Sequence, residues 1–120
     1  MTEGTVLPPA VVALVVDQWR LLRSFSRVID QIPEASRARV SGQARFHQSR
    51  LDSVLTELGL VLATYEGRVF DGSLPPTAQN SDDFAQDRLL IVQETIEPTL
   101  IFSGRILHSG KVNLADQGDA

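Results

Sequence analysis

The chain contains no cysteine. That excludes disulfides, thiolate metal sites and a cysteine nucleophile, and it fits a reducing compartment. Imidazole is scarce too: only His47 and His108 can serve as a neutral-pH base or a nitrogen ligand. There is no block of lysine and arginine, and acids outnumber bases, for a formal net charge of −4 at pH 7. Nucleic-acid binding depends on basic surface that displaces counterions from phosphate, so no nucleic-acid partner is expected. Arg37, Arg39, Arg45 and Arg50 do fall close together, but along a helix, where a solvated face accounts for them. The apolar run from Leu7 stops at Asp17, far short of the ~20 residues a membrane span needs. Met1-Thr2-Glu3-Gly4 lacks the basic start of a signal peptide. The expectation is a cytoplasmic protein with no membrane partner.

What is present fits a globular chain. It has 120 residues, of which 42% are apolar and 22% charged, which argues against disorder along the whole chain. That length suits one domain, or one domain with a small lobe.

Residues 1–8 read as a flexible tail. Pro8-Pro9 can open a helix, because the first turn has amide hydrogens without partners and proline lacks one. From there Val12, Val15, Trp19, Leu22 and Ile29 recur at helical spacing, and Val11, Leu14, Phe25 and Val28 widen the stripe. The helix should stop before Pro33, since proline pushes Ile32 out of helical geometry. A second helix should begin between Glu34 and Gly42. Val40, Ala44, His47, Leu51, Val54, Leu55 and Leu58 share one of its faces, and Gly59 fits a left-handed C-cap.

After Gly59 the pattern changes. Leu60 to Tyr65 and Arg68 to Phe70 read as short strands, and residues 72–87 as a long polar loop. Arg88 to Thr95 and Thr99 to Phe102 are strand candidates parted by Glu97-Pro98. Ser103-Gly104 suits a two-residue hairpin turn. Arg105 to His108 and Lys111 to Leu114 would return from it, with Ser109-Gly110 as a bulge, and 116–120 would form a polar tail. Helices first and strands afterwards predict an α+β protein in two segregated parts, 9–59 and 60–115.

Two helices cannot enclose a stripe as wide as the first one carries. A second copy would solve this as a four-helix bundle across a twofold axis, so a homodimer is predicted. Its interface is placed at Val12, Val15, Trp19 and Leu22 on the first helix, and at Leu51, Val54, Leu55 and Leu58 on the second.

Chemistry is hard to find. His47 reads as a partly buried packing histidine on an apolar face. His108 sits in a strand with no acidic or histidine neighbour at ligand spacing. Asp82-Asp83 reads as solvated loop charge. Gly104 to Lys111 fails as a phosphate loop, because Val112 stands where Ser or Thr would hold magnesium and a strand follows. No Gly-x-Ser-x-Gly elbow occurs. The chain is read as a non-enzyme with no catalytic residue, metal or cofactor.

Several strings do resemble a known family. Leu51 to Leu62 (LDSVLTELGLVL) looks like a bundle helix closing in Leu-Gly before a strand. Tyr65 to Leu74 (YEGRVFDGSL) is similar to a segment with a Gly-x-x-Phe-Asp string, although Gly72 stands where a proline is usual. Pro98 to Ala115 (PTLIFSGRILHSGKVNLA) resembles a closing hairpin with an x-Gly-Arg turn. In this order the strings resemble GrpE, the nucleotide exchange factor of the DnaK chaperone, over about residues 10–115. Because the sequence begins close to the bundle, the expectation is a truncated or divergent member without the family's long N-terminal helix.

The resemblance implies a dimeric four-helix bundle and a small, mainly antiparallel C-terminal β-wing. It implies a cochaperone whose wing docks on the nucleotide-binding domain of a DnaK-type chaperone and promotes ADP release. Arg105 matches a family arginine at the partner surface, and Gly104, Phe70, Asp71 and Leu74 are the further partner-binding candidates. Arg105 can equally be a solvent-facing strand residue, Gly104 can serve backbone geometry, and Phe70 and Leu74 can pack the wing. A dimeric adaptor on the same scaffold, with another protein partner and no exchange activity, is the alternative.

Overall fold

The computed structural model describes residues 7–119, so the expected N-terminal tail lies outside it apart from Leu7 and Pro8. After Gly59 the chain divides into two units.

The first unit is helical. α1 spans Pro9–Val28, with Pro8 as its N-cap in extended geometry. The amide of Val11 donates to the Pro8 carbonyl at 2.9 Å, so the proline pair starts the helix as its fixed φ allows. A single 3₁₀ turn, Ile29–Gln31, follows, and Ile32 turns extended at ψ 137° ahead of Pro33. The Arg37 guanidinium ties this bend by donating to the carbonyls of Asp30 and Ile32 at 3.2 and 3.0 Å. α2 spans Glu34–Leu58 and ends where Gly59 takes φ 74°, ψ 25°. The two helices pack as an antiparallel hairpin. Val15, Val16, Trp19, Leu51 and Leu55 are buried. His47 departs from expectation: it is exposed, with its ring edge-on to Phe46 at 5.2 Å.

Among the described residues the second unit holds six strands: β1 Leu60–Ala63, β2 Thr77–Ala78, β3 Arg88–Glu97, β4 Thr99–Phe102, β5 Arg105–His108 and β6 Lys111–Asp119. They form two three-stranded sheets, ordered β1-β4-β5 and β2-β6-β3. All pairings are antiparallel except β2 with β6. Tyr65, Leu74, Val92, Val112 and Leu114 make a core cluster, with Phe70 packed against it.

Four expectations change here. The loop 72–87 is not wholly irregular: Thr77 and Ala78 pair with Lys111 and Val112. Asn80 prolongs this pairing, because its side chain accepts from the Leu114 amide at 2.8 Å and donates to the Leu114 carbonyl at 3.1 Å. The expected tail at 116–120 is strand as far as Asp119, with Leu90 opposite Asp116 and Arg88 opposite Asp119. The β unit therefore runs past Ala115, and Ala120 lies outside the described residues. The strand expected at 60–65 stops at Ala63, and 68–70 forms only a bridge, Val69 opposite Ile91. Finally, Ser109-Gly110 is not a bulge in one hairpin but the crossing from one sheet to the other.

That crossing meets another. β3 passes to β4 through Pro98, again changing sheets. Gly110, at φ 91°, lies so close that a Cβ there would sit 2.6 Å from the Glu97 carbonyl oxygen and 2.9 Å from that of Pro98. The Thr99 hydroxyl donates to the Ser109 carbonyl at 2.6 Å, fastening the two crossings together.

Candidate functional site

The β4–β5 hairpin is the most exposed part of the candidate site. Phe102 pairs with Arg105, and Ser103 and Gly104 between them take φ 51° and 76°. Positive φ at both central residues is the signature of a type I′ turn, whose twist matches the strands it joins. Ser103, Gly104 and Arg105 are all exposed. β5 is the outer strand of its sheet, so Arg105 stands on an open edge.

On the opposite face of the same sheet from Arg105, which pairs with Phe102, lies an apolar row that the sequence reading did not single out. Val61 pairs with Ile101, and Ile101 pairs with Ile106. Directly paired residues share a face, so the three side chains line up across the sheet. Val61 is 58% and Ile106 53% exposed. A register shift explains why strict alternation misses this. Leu100 faces His108 while Ile101 faces Ile106, which leaves Leu107 as an unpaired bulge. Ile106 and His108 consequently fall on opposite faces.

His108 thus turns to the side of fully buried Leu100, where its Nε2 lies 2.8 Å from Glu97 Oε1. The sequence reading gave His108 no acidic neighbour. The partner arrives from β3, eleven positions earlier in the chain, because the two crossings meet. A hydrogen-bonded contact in this setting holds two strands in place; among the described residues no group of three or more histidine or acidic residues gathers to hold a metal.

The remaining candidates belong elsewhere. Leu74 is buried in the β core and Phe70 packs against it, so both are drawn inward and act as packing residues. Asp71 is exposed and forms a small turn, accepting from the Ser73 amide at 3.0 Å and the Ser73 hydroxyl at 2.6 Å. Those two donors hold its carboxyl below the usual 3.8, with the Ser73 hydroxyl the larger cause. Gly104 and Arg105 lie together at the hairpin, while Phe70, Asp71 and Leu74 follow the bridge onto the other sheet. Asp82 and Asp83 are exposed in a 3₁₀ turn, as solvated charges would be.

The expected dimer-interface residues divide as well. Val15, Trp19, Leu51 and Leu55 are buried within the chain, and Val12, Leu22 and Leu58 half-buried. Of the eight, only Val54 is classed as exposed. The large open apolar side chains of the hairpin are instead Leu14, Leu21, Val28 and Phe46.

Among the described residues, no helix is long and apolar enough to cross a membrane. Comparison with models of protein families, with curated proteins and with solved structures returned no match for this chain.

Proposed function

We propose that the chain is a GrpE-like cochaperone: a cytoplasmic homodimer whose β unit docks on the nucleotide-binding domain of a DnaK-type chaperone and promotes ADP release. The observation that supports this reading is the Ser103-Gly104 turn, which presents Arg105 on an open sheet edge. A guanidinium forms forked, charge-assisted hydrogen bonds to a carboxylate. The Val61–Ile101–Ile106 row, on the other face of that sheet, gains by shedding water against an apolar patch. The partner surface that fits Arg105 is therefore one that presents a carboxylate. Release of ADP follows if the docked surface exists only with the chaperone cleft open, because a ligand shifts an equilibrium by its differential affinity for the two states.

The rate of ADP release from a cognate DnaK-type chaperone, with and without the protein, tests this. Arg105→Ala is expected to weaken the stimulation by roughly tenfold or more, since losing a hydrogen-bonded charge costs about 1.5–3 kcal/mol. No binding to any such chaperone would sink the reading.

One observation favours the alternative adaptor. Phe70 and Leu74 are drawn into or against the core, so part of the footprint that the resemblance implies is missing from the surface. A pull-down dominated by a protein other than a chaperone would decide for the adaptor.

A further inference from the structure

Of the eight glycines in the chain, only Gly72 follows an aspartate or an asparagine. The pair matters chemically, because the amide nitrogen after an aspartate lies within reach of that residue's own carboxyl carbon. A side chain on the following residue crowds the approach, and glycine has none. Gly72 is exposed and takes φ 89°, and where a Cβ would stand there is no other atom within 4 Å. Asp71 and Ser73 are exposed as well, so water reaches the whole segment. The other aspartates of this loop, Asp82, Asp83 and Asp87, are followed by Asp83, Phe84 and Arg88, whose side chains shield the nitrogen.

We propose that Asp71-Gly72 is a modification site, at which the chain isomerises spontaneously to isoaspartate, and that Ser73 is the residue that restrains it. This does not rest on the partner proposed above.

The reaction balances with water alone. The Gly72 nitrogen attacks Asp71 Cγ and a C–N bond forms. The amide proton and the carboxyl hydroxyl leave as water, and a five-membered succinimide closes. Water then opens the ring. Breaking the bond from the nitrogen to Cγ returns aspartate. Breaking the bond from the nitrogen to the main-chain carbonyl carbon leaves isoaspartate, with the chain now running through the side-chain carbons. Nothing is oxidised or reduced, and mass and charge end unchanged.

Ser73 acts on the first step. Its amide and hydroxyl both donate to Asp71 Oδ1, at 3.0 and 2.6 Å. Attack needs the protonated carboxyl, which can release its oxygen as water; an ionised carboxylate would have to expel oxide. The two donors favour the ionised form, and they tether the carboxyl to Ser73. The consequence of isomerisation falls on the β core. The Phe70 amide donates to the Leu90 carbonyl at 2.9 Å, and Leu74 is buried. Isoaspartate adds one backbone carbon between these two anchors, so the loop no longer fits both.

The natural chain is held in mildly acidic buffer at body temperature, with Ser73→Ala and Asp71→Glu alongside. Isoaspartate is counted by methyl transfer from S-adenosylmethionine with an isoaspartyl methyltransferase. It is located in the tryptic peptide of residues 69–88. It should collect first at position 71. Ser73→Ala should form it roughly threefold faster, as the loss of one water-exposed hydrogen bond implies. In urea the natural chain and Ser73→Ala should react at one rate, since the turn is then gone. Asp71→Glu should form none at this position, because its longer arm must close a six-membered ring. The separated isoaspartate form should unfold at lower urea when followed by Tyr65, in the β core, and unchanged when followed by Trp19, in the helices. Isoaspartate that never forms at position 71, or arises first elsewhere, overturns the site. A Ser73→Ala rate no higher than that of the natural chain overturns the restraint. An unmoved Tyr65 transition overturns the consequence for the core.

Discussion

The two units solve the problem of burial differently. In the β unit, Thr99, Leu100 and Val112 are wholly shielded, and Val92, Thr95 and Leu114 nearly so. Even its irregular backbone is satisfied: where β3 shifts register, the Thr95 amide donates to the Glu66 carboxylate at 2.8 Å, and its hydroxyl accepts from the Tyr65 amide at 3.2 Å. The helical unit leaves Leu14, Leu21, Val28 and Phe46 open. Two sheets can wrap a core between them, whereas two helices bury only the strip along which they touch. Their charges differ as well. Residues 7–59 carry seven arginines against five acids, and residues 60–119 four basic against nine acidic residues. The net negative charge therefore belongs to the β unit, and there Arg105 is one of few cations that can meet an acidic partner.

The contrast is most easily broken at Gly110. Its φ of 91° and the 2.6 Å approach to the Glu97 carbonyl leave no room for a side chain. Left-handed geometry alone costs an ordinary residue about 1–2 kcal/mol. The clash is with backbone, which cannot swing aside, so Gly110→Ala should cost about 3 kcal/mol or more. Two natural reporters separate the units, since the only tryptophan, Trp19, is helical and the only tyrosine, Tyr65, lies in the β core. In urea, the Tyr65 transition should move to much lower denaturant than the Trp19 transition. Equal movement of both would mean that the units unfold together.

The same substitution in each unit sharpens the comparison. Leu100 is 0% and Leu21 64% exposed. Leu100→Ala removes a filled core position and should cost about 2–5 kcal/mol of β-unit stability. Leu21→Ala should leave the fold of one subunit within about 0.5 kcal/mol, as surface changes usually do. In the proposed homodimer its effect would fall on self-association, read as a weaker dimer by sedimentation. If Leu21→Ala destabilised the helices as much as Leu100→Ala destabilises the strands, the open stripe would already be covered within one chain.

Legibility followed the range of the signal. The helix limits at Pro8-Pro9, Pro33 and Gly59 rest on local backbone chemistry and stand where the sequence suggests. So does the Ser103-Gly104 turn. What escaped depends on residues far apart in sequence. The strand at Asp116 to Asp119 looks like a polar tail until Arg88 is seen donating to both Asp116 carboxylate oxygens at 2.8 and 3.0 Å. Thr77-Ala78 is a strand only because β6 lies alongside it. His108 and Ile106 exchange faces through a bulge at Leu107 that no alternation pattern announces. Leu74, read as a candidate partner contact, is core because the chain after Asp71 turns back onto the sheet. The hairpin half of the candidate site could thus be read from a turn signature, and the apolar row on the sheet's opposite face could not.

The smallest effect concerns the Asp71–Ser73 turn, and it asks whether the loop of the β unit is as ordered as its core. The Ser73 hydroxyl and amide both donate to one Asp71 oxygen, which favours the ionised carboxylate in the folded chain. The folded pKa is therefore depressed below the ordinary 3.8, while the unfolded chain keeps the ordinary value. With that sign, the stabilisation is whole above the ordinary value and is lost as the pH falls through the depressed one. A carboxylate this open to water shows the effect as a displaced titration more than as stability. The Asp71 side-chain carbon, followed by NMR through the acid range, should titrate below 3.8. Ser73→Ala should move that midpoint back up, because the hydroxyl is the larger of the two donors' effects. An ordinary midpoint in the natural chain, unmoved by Ser73→Ala, would show that the turn does not persist in solution, and the order of the β unit would then be interrupted between Phe70 and Leu74.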